Sequence, residues 1–122
     1  MRKVVGIVDD DPAMLKSIGR FLRAAGYDTE LFSSGEELLG GLATSKATCL
    51  VIDIHLGEIS GIELGQKLAG LGFTVPIIFI SGVANQLTER AASEVGCVAF
   101  LHKPFSAHVL VQAVEQCLQS AA

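Results

Sequence analysis

The chain predicts an α/β fold: a mainly parallel, doubly wound sheet of five strands and five helices. Two observations predict it. Short apolar runs rich in Val and Ile, such as Val4–Val8 and Val75–Ile80, recur along the sequence, and parallel strands buried on both faces read as such continuous runs. Between the runs, apolar residues recur at helical spacing, and strands alternating with helices imply βαβ units. The 122 residues suit one domain, residues 1–122. A domain of that size buries roughly two-thirds of its unfolded surface, so its core needs no disulfide or metal.

Each element has its own signal. Val4–Val8 reads as a buried strand running into Asp9-Asp10. Asp11 can cap the next helix, with Pro12 at the first position, where a missing N–H costs nothing. Met14, Leu15, Ile18, Phe21, Leu22 and Ala25 follow at helical spacing, and Gly26 is the stop. Asp28–Phe32 is more polar and reads as an edge strand. Ser34–Ala43 reads as a helix in which Ser34 and Glu37 fit a capping box. Cys49–Ile52 is a buried strand running into Asp53, and Ile54–Ser60 is a loop. A helix from Ser60 to about Leu71 offers Ile62, Leu64 and Leu68 for packing. Pro76–Ile80 is a strand ending in Ser81-Gly82, and Asn85–Val95 is a helix stopped by Gly96. Val98–Leu101 is a strand followed by His102-Lys103-Pro104; Ser106 then caps a last helix with Leu110, Val114 and Cys117 on one face.

Composition excludes several function classes. Hydrophobic residues are 50% of the chain and mean hydropathy is +0.50, yet the apolar runs stay far below the ~18 residues that span a bilayer. The opening Met1-Arg2-Lys3 is too short, and turns acidic too soon, for a signal peptide, which sets a cytoplasmic expectation. A net charge of −4 without a basic stripe argues against direct nucleic-acid binding. Cys49, Cys97 and Cys117 form no C-x-x-C pair, sit in apolar settings and read as reduced structural thiols. His55, His102 and His108 lack ligand spacing and read as loop or surface side chains. Gly35, Gly40 and Gly41 lack the G-K-[ST] of a P-loop.

In open α/β sheets, ligands bind outside the carboxyl ends of the strands. The residues just past the apolar runs are Asp9 and Asp10, Asp53, Ser81 and Lys103. Singly, each is an ordinary turn or cap residue. Together they bring three carboxylates, a hydroxyl and an ammonium to one rim. Clustered carboxylates repel, and one would be forced to protonate without compensating charge. Lys103 offsets part of it, and a divalent cation would offset the rest. Hard oxygen donors without a His or Cys pattern favour Mg2+ over Zn2+. A carboxylate beside such an ion can act as nucleophile and form an aspartyl-phosphate.

These residues resemble the receiver domain of two-component response regulators, the CheY-like family. The matching stretches are V-D-D-D-P at Val8–Pro12, D-I-H-L-G-E-I-S-G-I-E-L at Asp53–Leu64, P-I-I-F-I-S-G at Pro76–Gly82 and A-F-L-H-K-P-F at Ala99–Phe105. The resemblance covers essentially the whole chain. It implies a flavodoxin-like sheet of order 2-1-3-4-5. It also implies Asp53 as the phospho-acceptor and Asp10 as a direct Mg2+ ligand with Asp53. Asp9 would act through a metal-bound water, and His55 would lend its backbone carbonyl. Ser81 would bond a phosphoryl oxygen and Lys103 would pair with it. The peptide before Pro104 would be cis, and Phe100 would be the aromatic switch. A sensor histidine kinase or phosphotransfer protein would be the donor. The fourth helix, fifth strand and fifth helix would change shape for a downstream protein or output domain, with a phosphorylation-dependent dimer as a further expected partner. The only catalysis implied is of the domain's own phosphorylation and dephosphorylation.

Departures from the family pattern are Gly57 where Pro is frequent, Ser81-Gly82 for Thr-Ala, and Phe100 for Tyr. His55 and Val83, each two residues past a site residue, are expected to flank an attacking water and tune how long the phosphoryl group lasts. Two rivals stand beside this reading. Asp9 and Asp11 fit the D-x-D of a haloacid-dehalogenase-type phosphatase, but that chemistry needs a later acidic pair, and only Glu115 follows Lys103. A receiver scaffold that binds partners without phosphorylation is the other. The chain ends just past its last helix, which reads either as a stand-alone receiver or as a piece of a longer regulator resembling those with helix-turn-helix output domains.

Overall fold

A computed structural model describes residues 2–57, 59–82, 86–95 and 97–120. The elements run β1 (Val4–Val8), α1 (Pro12–Ala24), β2 (Asp28–Phe32), α2 (Gly35–Gly40), β3 (Cys49–Asp53), α3 (Gly61–Gly70), β4 (Ile77–Ser81), α4 (Gln86–Glu94), β5 (Cys97–His102) and α5 (Ala107–Ser120). The sheet order is β2-β1-β3-β4-β5, and every neighbouring pair is parallel. The five strands and five helices form the doubly wound α/β fold that the sequence predicts.

The apolar runs are continuous because the central strands are covered on both faces. All five residues of β3 and of β4 are buried. Alternate residues feed two cores, as the two-residue strand period requires. Leu50, Ile52, Ile77 and Phe79 pack with Leu38 of α2, Leu64 and Leu68 of α3 and Ala92 of α4. Cys49, Val51, Ile78 and Ile80 pack with Ile18 and Leu22 of α1 and Leu110, Val114 and Cys117 of α5. No described helix is long and apolar enough to cross a membrane.

Helix ends follow the capping residues. Asp11 caps α1, accepting from the backbone N–H of Ala13 at 3.0 Å, and Pro12 stands at its first position. Both α1 and α3 finish in a Schellman motif. Gly26 and Gly72 take positive φ (100° and 78°), and the next residues, Tyr27 and Phe73, donate back to Leu22 and Leu68. Ser60 and Ser106 cap α3 and α5 through their hydroxyls.

Three expectations need correction. The second helix stops at Gly40 rather than Ala43, because Gly40-Gly41 gives up helix propensity just where the chain must turn toward β3. Its capping box is half formed. Ser34 Oγ accepts from Glu37 N–H at 3.0 Å, but the Glu37 carboxylate reaches the Ser33 hydroxyl at 2.6 Å instead of Ser34. On α1, Phe21 and Ala25 lie on the exposed side and Gly19 is buried, so the packed stripe is narrower than the apolar spacing suggests. The fourth helix runs over Gln86–Glu94; the expected start at Asn85 and the Gly96 stop lie outside the described residues.

Candidate functional site

Four strands end on one rim, with β1 and β3 flanking the point where strand order reverses. Asp53 and Ser81 are the last residues of β3 and β4, and Asp9 and Lys103 follow β1 and β5 directly. The ladder sets their relative heights. Asp53 pairs with Ile80 and Ser81 with His102, while Lys103 N–H donates to Ser81 O at 2.8 Å. Gly61 holds α3 close beneath. A Cβ there would collide with the backbone oxygen of Asp53, and Gly61 N–H donates to Ile54 O at 2.8 Å. The loop after Asp53 also contains Gly57, whose φ of 87° suits glycine.

Both oxygens of the Asp53 carboxylate are held. Oδ2 accepts from Lys103 Nζ at 3.0 Å, and Oδ1 accepts from His55 N–H at 2.9 Å. Asp53 is only 5% exposed and Asp9 only 1%. Asp9 Oδ1 accepts from Asp11 N–H at 2.9 Å, while Asp9 Oδ2 is buried without a hydrogen-bond partner among the described residues. Oxygens of Asp9, Asp10 and Asp53 lie within 4.8 Å of one another.

The electrostatics follow from that crowding. Asp9 is pushed up from 3.8 to about 6, first by burial and then by the charges of Asp53 and Asp10, against the Asp11 N–H and Lys103. Burial alone would lower Lys103, but the hydrogen bond to Asp53 and the charges of Asp53, Asp9 and Asp11 hold it above its ordinary value. Three carboxylates against one ammonium leave the pocket negative. An orphaned buried oxygen among hard donors suits Mg2+ and offers nothing to a soft metal.

The remaining residues singled out in the sequence lie as follows. Ser81 is buried at the rim, and the Lys103–Pro104 peptide is cis. Asp11 spends its carboxylate on the α1 cap, which leaves it no part in a D-x-D nucleophile pair. Phe100 stands on β5, opposite Phe79, and is half-buried beside a cavity of about 210 Å³ lined by Glu89, Ser93, Val98, Ala99 and Phe100. Its ring lies 5.1 Å from that of His102. The His55, His102 and His108 side chains are exposed. Val83 lies outside the described residues. The sequence does not reveal three contacts: the His55 N–H on Asp53, the His102–Glu89 pair at 3.1 Å and the Cys49–Cys117 contact. The D-x-H spacing carried a signal for the first, since an Asp side chain often accepts from the N–H two residues on. The other two depend on helix placement.

Comparison with known proteins agrees with this geometry. The sequence matches the model of a family described as the response regulator receiver domain over residues 5–115. Response regulator protein TmoT of Ectopseudomonas mendocina is 36% identical over 97% of this chain and 54% of its own length. Transcriptional regulatory protein FixJ of Rhizobium meliloti is 31% identical over 92% of the chain and 55% of its own length. The chain thus spans about half the length of the curated relatives it matches. A CheY-like receiver domain protein from Methanospirillum hungatei JF-1 superposes with a TM-score of 0.92 at 26% identity, covering 99% of this chain and 97% of that one. FixJ-N superposes at 0.89 with 29% identity, covering 98% and 95%. The chain therefore belongs to the response regulator receiver domain family of two-component signalling.

Proposed function

We propose that this domain takes a phosphoryl group onto Asp53, in the cytoplasm, from a sensor histidine kinase or phosphotransfer protein. The observation that carries the reading is the Asp53 carboxylate, buried at the strand ends with one oxygen on Lys103 Nζ and the other on His55 N–H. In this reading a carboxylate oxygen attacks the phosphorus of the donor's phosphohistidine. The O–P bond forms as the P–N bond breaks, and the imidazole leaves with the electron pair. His55 N–H and Lys103 fix the carboxylate's orientation, and the Lys103 charge offsets the charge delivered with the phosphoryl group. Asp10, Asp53 and the His55 carbonyl would hold Mg2+, with Asp9 acting through a water, and the ion would supply charge neutralisation at the phosphoryl oxygens. The buried, orphaned Asp9 Oδ2 supports a water at that place.

The phosphoryl group brings new charge and acceptor oxygens to the rim. Ser81, at the end of the adjacent strand, is drawn toward them, and Phe100 turns inward. The α4–β5–α5 face then shifts between two packings, which a downstream protein, an output domain or a second phosphorylated copy can read. The domain catalyses only its own phosphorylation and dephosphorylation. Neither nucleic acid nor membrane is a direct partner, in keeping with the net charge of −4.

Intact mass after incubation with acetyl phosphate and Mg2+ tests this. The native chain should gain one phosphoryl group, and Asp53→Asn or added EDTA should prevent it. No gain from acetyl phosphate or a cognate kinase would favour a phosphorylation-independent scaffold.

A further inference from the structure

Outside the rim, the two cysteines of the α1/α5 core meet. Cys49 opens β3 and is fixed in the ladder opposite Val5. Cys117 lies in the last turns of α5. Both are fully buried, and their sulfurs are 3.1 Å apart although 68 residues separate them in sequence. Packing explains why each thiol is buried, since free Cys behaves as a small hydrophobe. It does not explain why the two sulfurs point at each other within a core otherwise filled by apolar side chains such as Val5, Ile7, Leu22 and Ala113. A disulfide bond is ~2.05 Å long, so closure needs a further approach of about 1 Å. A thiolate–metal–thiolate bridge would hold the sulfurs up to ~4.6 Å apart, from two bonds of ~2.3 Å. The observed spacing favours direct sulfur–sulfur bonding.

We propose that Cys49 and Cys117 are an oxidation site that a hydroperoxide closes into an intramolecular disulfide, stapling α5 to β3. Access comes through the end of α5, since helix ends open at lower free energy than central strands. Cys117, on that helix end rather than in a central strand, is the sulfur the oxidant reaches first. The Cys117 thiolate attacks one peroxide oxygen. The O–O bond breaks, the sulfur gives up two electrons to become a sulfenic acid, and hydroxide (or alkoxide) leaves. Cys49 sulfur then attacks the sulfenic sulfur. The S–S bond forms, the S–O bond breaks, and the departing hydroxide takes the Cys49 proton as water. Two thiols and one hydroperoxide give one disulfide, one water and one water or alcohol.

The test uses the whole reduced chain under native conditions with hydrogen peroxide. Unreacted thiols are then alkylated with N-ethylmaleimide in denaturant, and the products are read by intact mass and non-reducing peptide mapping. The expected product is two hydrogens lighter before alkylation, with the Cys49 and Cys117 peptides joined, Cys97 alkylated, and full reversal by dithiothreitol. The oxidised chain should melt several degrees higher, as a long-loop crosslink predicts. Cys97→Ser should keep the bond, and Cys117→Ser should abolish it. Separate alkylation or sulfinic acids at Cys49 and Cys117 in the native chain would overturn the proposal, as would crosslinking through Cys97 or a lower melting point. The mapping is made on the native sequence, so its outcome does not depend on whether either variant folds.

Discussion

Lys103 Nζ lies 3.0 Å from Asp53 Oδ2, and the contact joins β5 to β3 across the end of β4, where Ser81 sits. The ammonium is thus the main positive charge facing a buried carboxylate group. Lys103→Met keeps the stem and removes that charge. It should cost ~1–3 kcal/mol in urea denaturation at pH 7, because it strands Asp53 beside Asp9. The sign over pH follows from Lys103, whose folded pKa is raised above 10.5. Its contribution is complete below 10.5 and is lost as pH rises through the higher folded value. The difference between native and Lys103→Met chains should therefore be flat from pH 7 to 9 and shrink only in stronger alkali.

Asp9 carries the opposite expectation. Its folded pKa of about 6 exceeds the ordinary 3.8, so the folded state binds this proton more tightly than the unfolded chain. The magnesium-free protein should gain stability as pH falls from about 7 toward 4 at this site, and lose it on the way up. Asp9→Asn keeps an acceptor for the Asp11 N–H and removes the charge. It should stabilise the magnesium-free fold at pH 7.5 by ~2 kcal/mol and by much less at pH 4.5. Added Mg2+ should raise the native melting temperature and raise that of Asp9→Asn by less. A less stable Asp9→Asn at pH 7.5 would refute the argument.

Two glycines should respond with opposite sign. At Gly61 a methyl group meets the Asp53 backbone oxygen, and neither backbone can yield cheaply. Gly61→Ala should lose ~1–3 kcal/mol by denaturant melting and slow phosphorylation by acetyl phosphate, because the Ile54–Gly61 bond closes the acceptor loop. At Gly40 nothing lies within 4 Å of the added methyl. Gly40→Ala should gain ~0.5–1 kcal/mol from helix propensity.

His102 and Glu89 tie β5 to α4 at 3.1 Å, both nearly half exposed. An exposed pair contributes at most ~1 kcal/mol, so His102→Ala should barely change global stability. Hydrogen exchange in α4 should quicken, because the tie and the ring beside Phe100 are both lost. Unchanged exchange there would mean that the His102–Glu89 pair does not hold α4 to the sheet.

Much of this was legible in the sequence because β3 and β4 are buried on both faces, which leaves almost no polar residue inside the runs. The chemistry then stands out as the first polar residue after each run: Asp9, Asp53 and Ser81, with Lys103 just past β5. What could not be read depends on how helices roll against the sheet. Phe21 has the spacing of a core residue but faces outward, since Ile18, Leu22 and the buried Gly19 fill the inner side of α1. The meeting of Cys49 with Cys117 likewise depends on α5 crossing β3 at one particular height. The orphaned oxygen of Asp9 was invisible for another reason. Residue type reports a carboxylate, but only three-dimensional packing reports which of its lone pairs is dry.

The ladder pairing of Asp53 with Ile80 and Ser81 with His102 has a consequence for change in this protein. The acidic and basic groups are located by counting residues along strands rather than by tailored contacts. Point substitutions on helix surfaces leave that count untouched. A single inserted or deleted residue inside β3 would turn the acceptor to the other side of the sheet and put an apolar neighbour in its place. Helix surfaces can thus change without moving the site, whereas the lengths of the strands are tightly constrained.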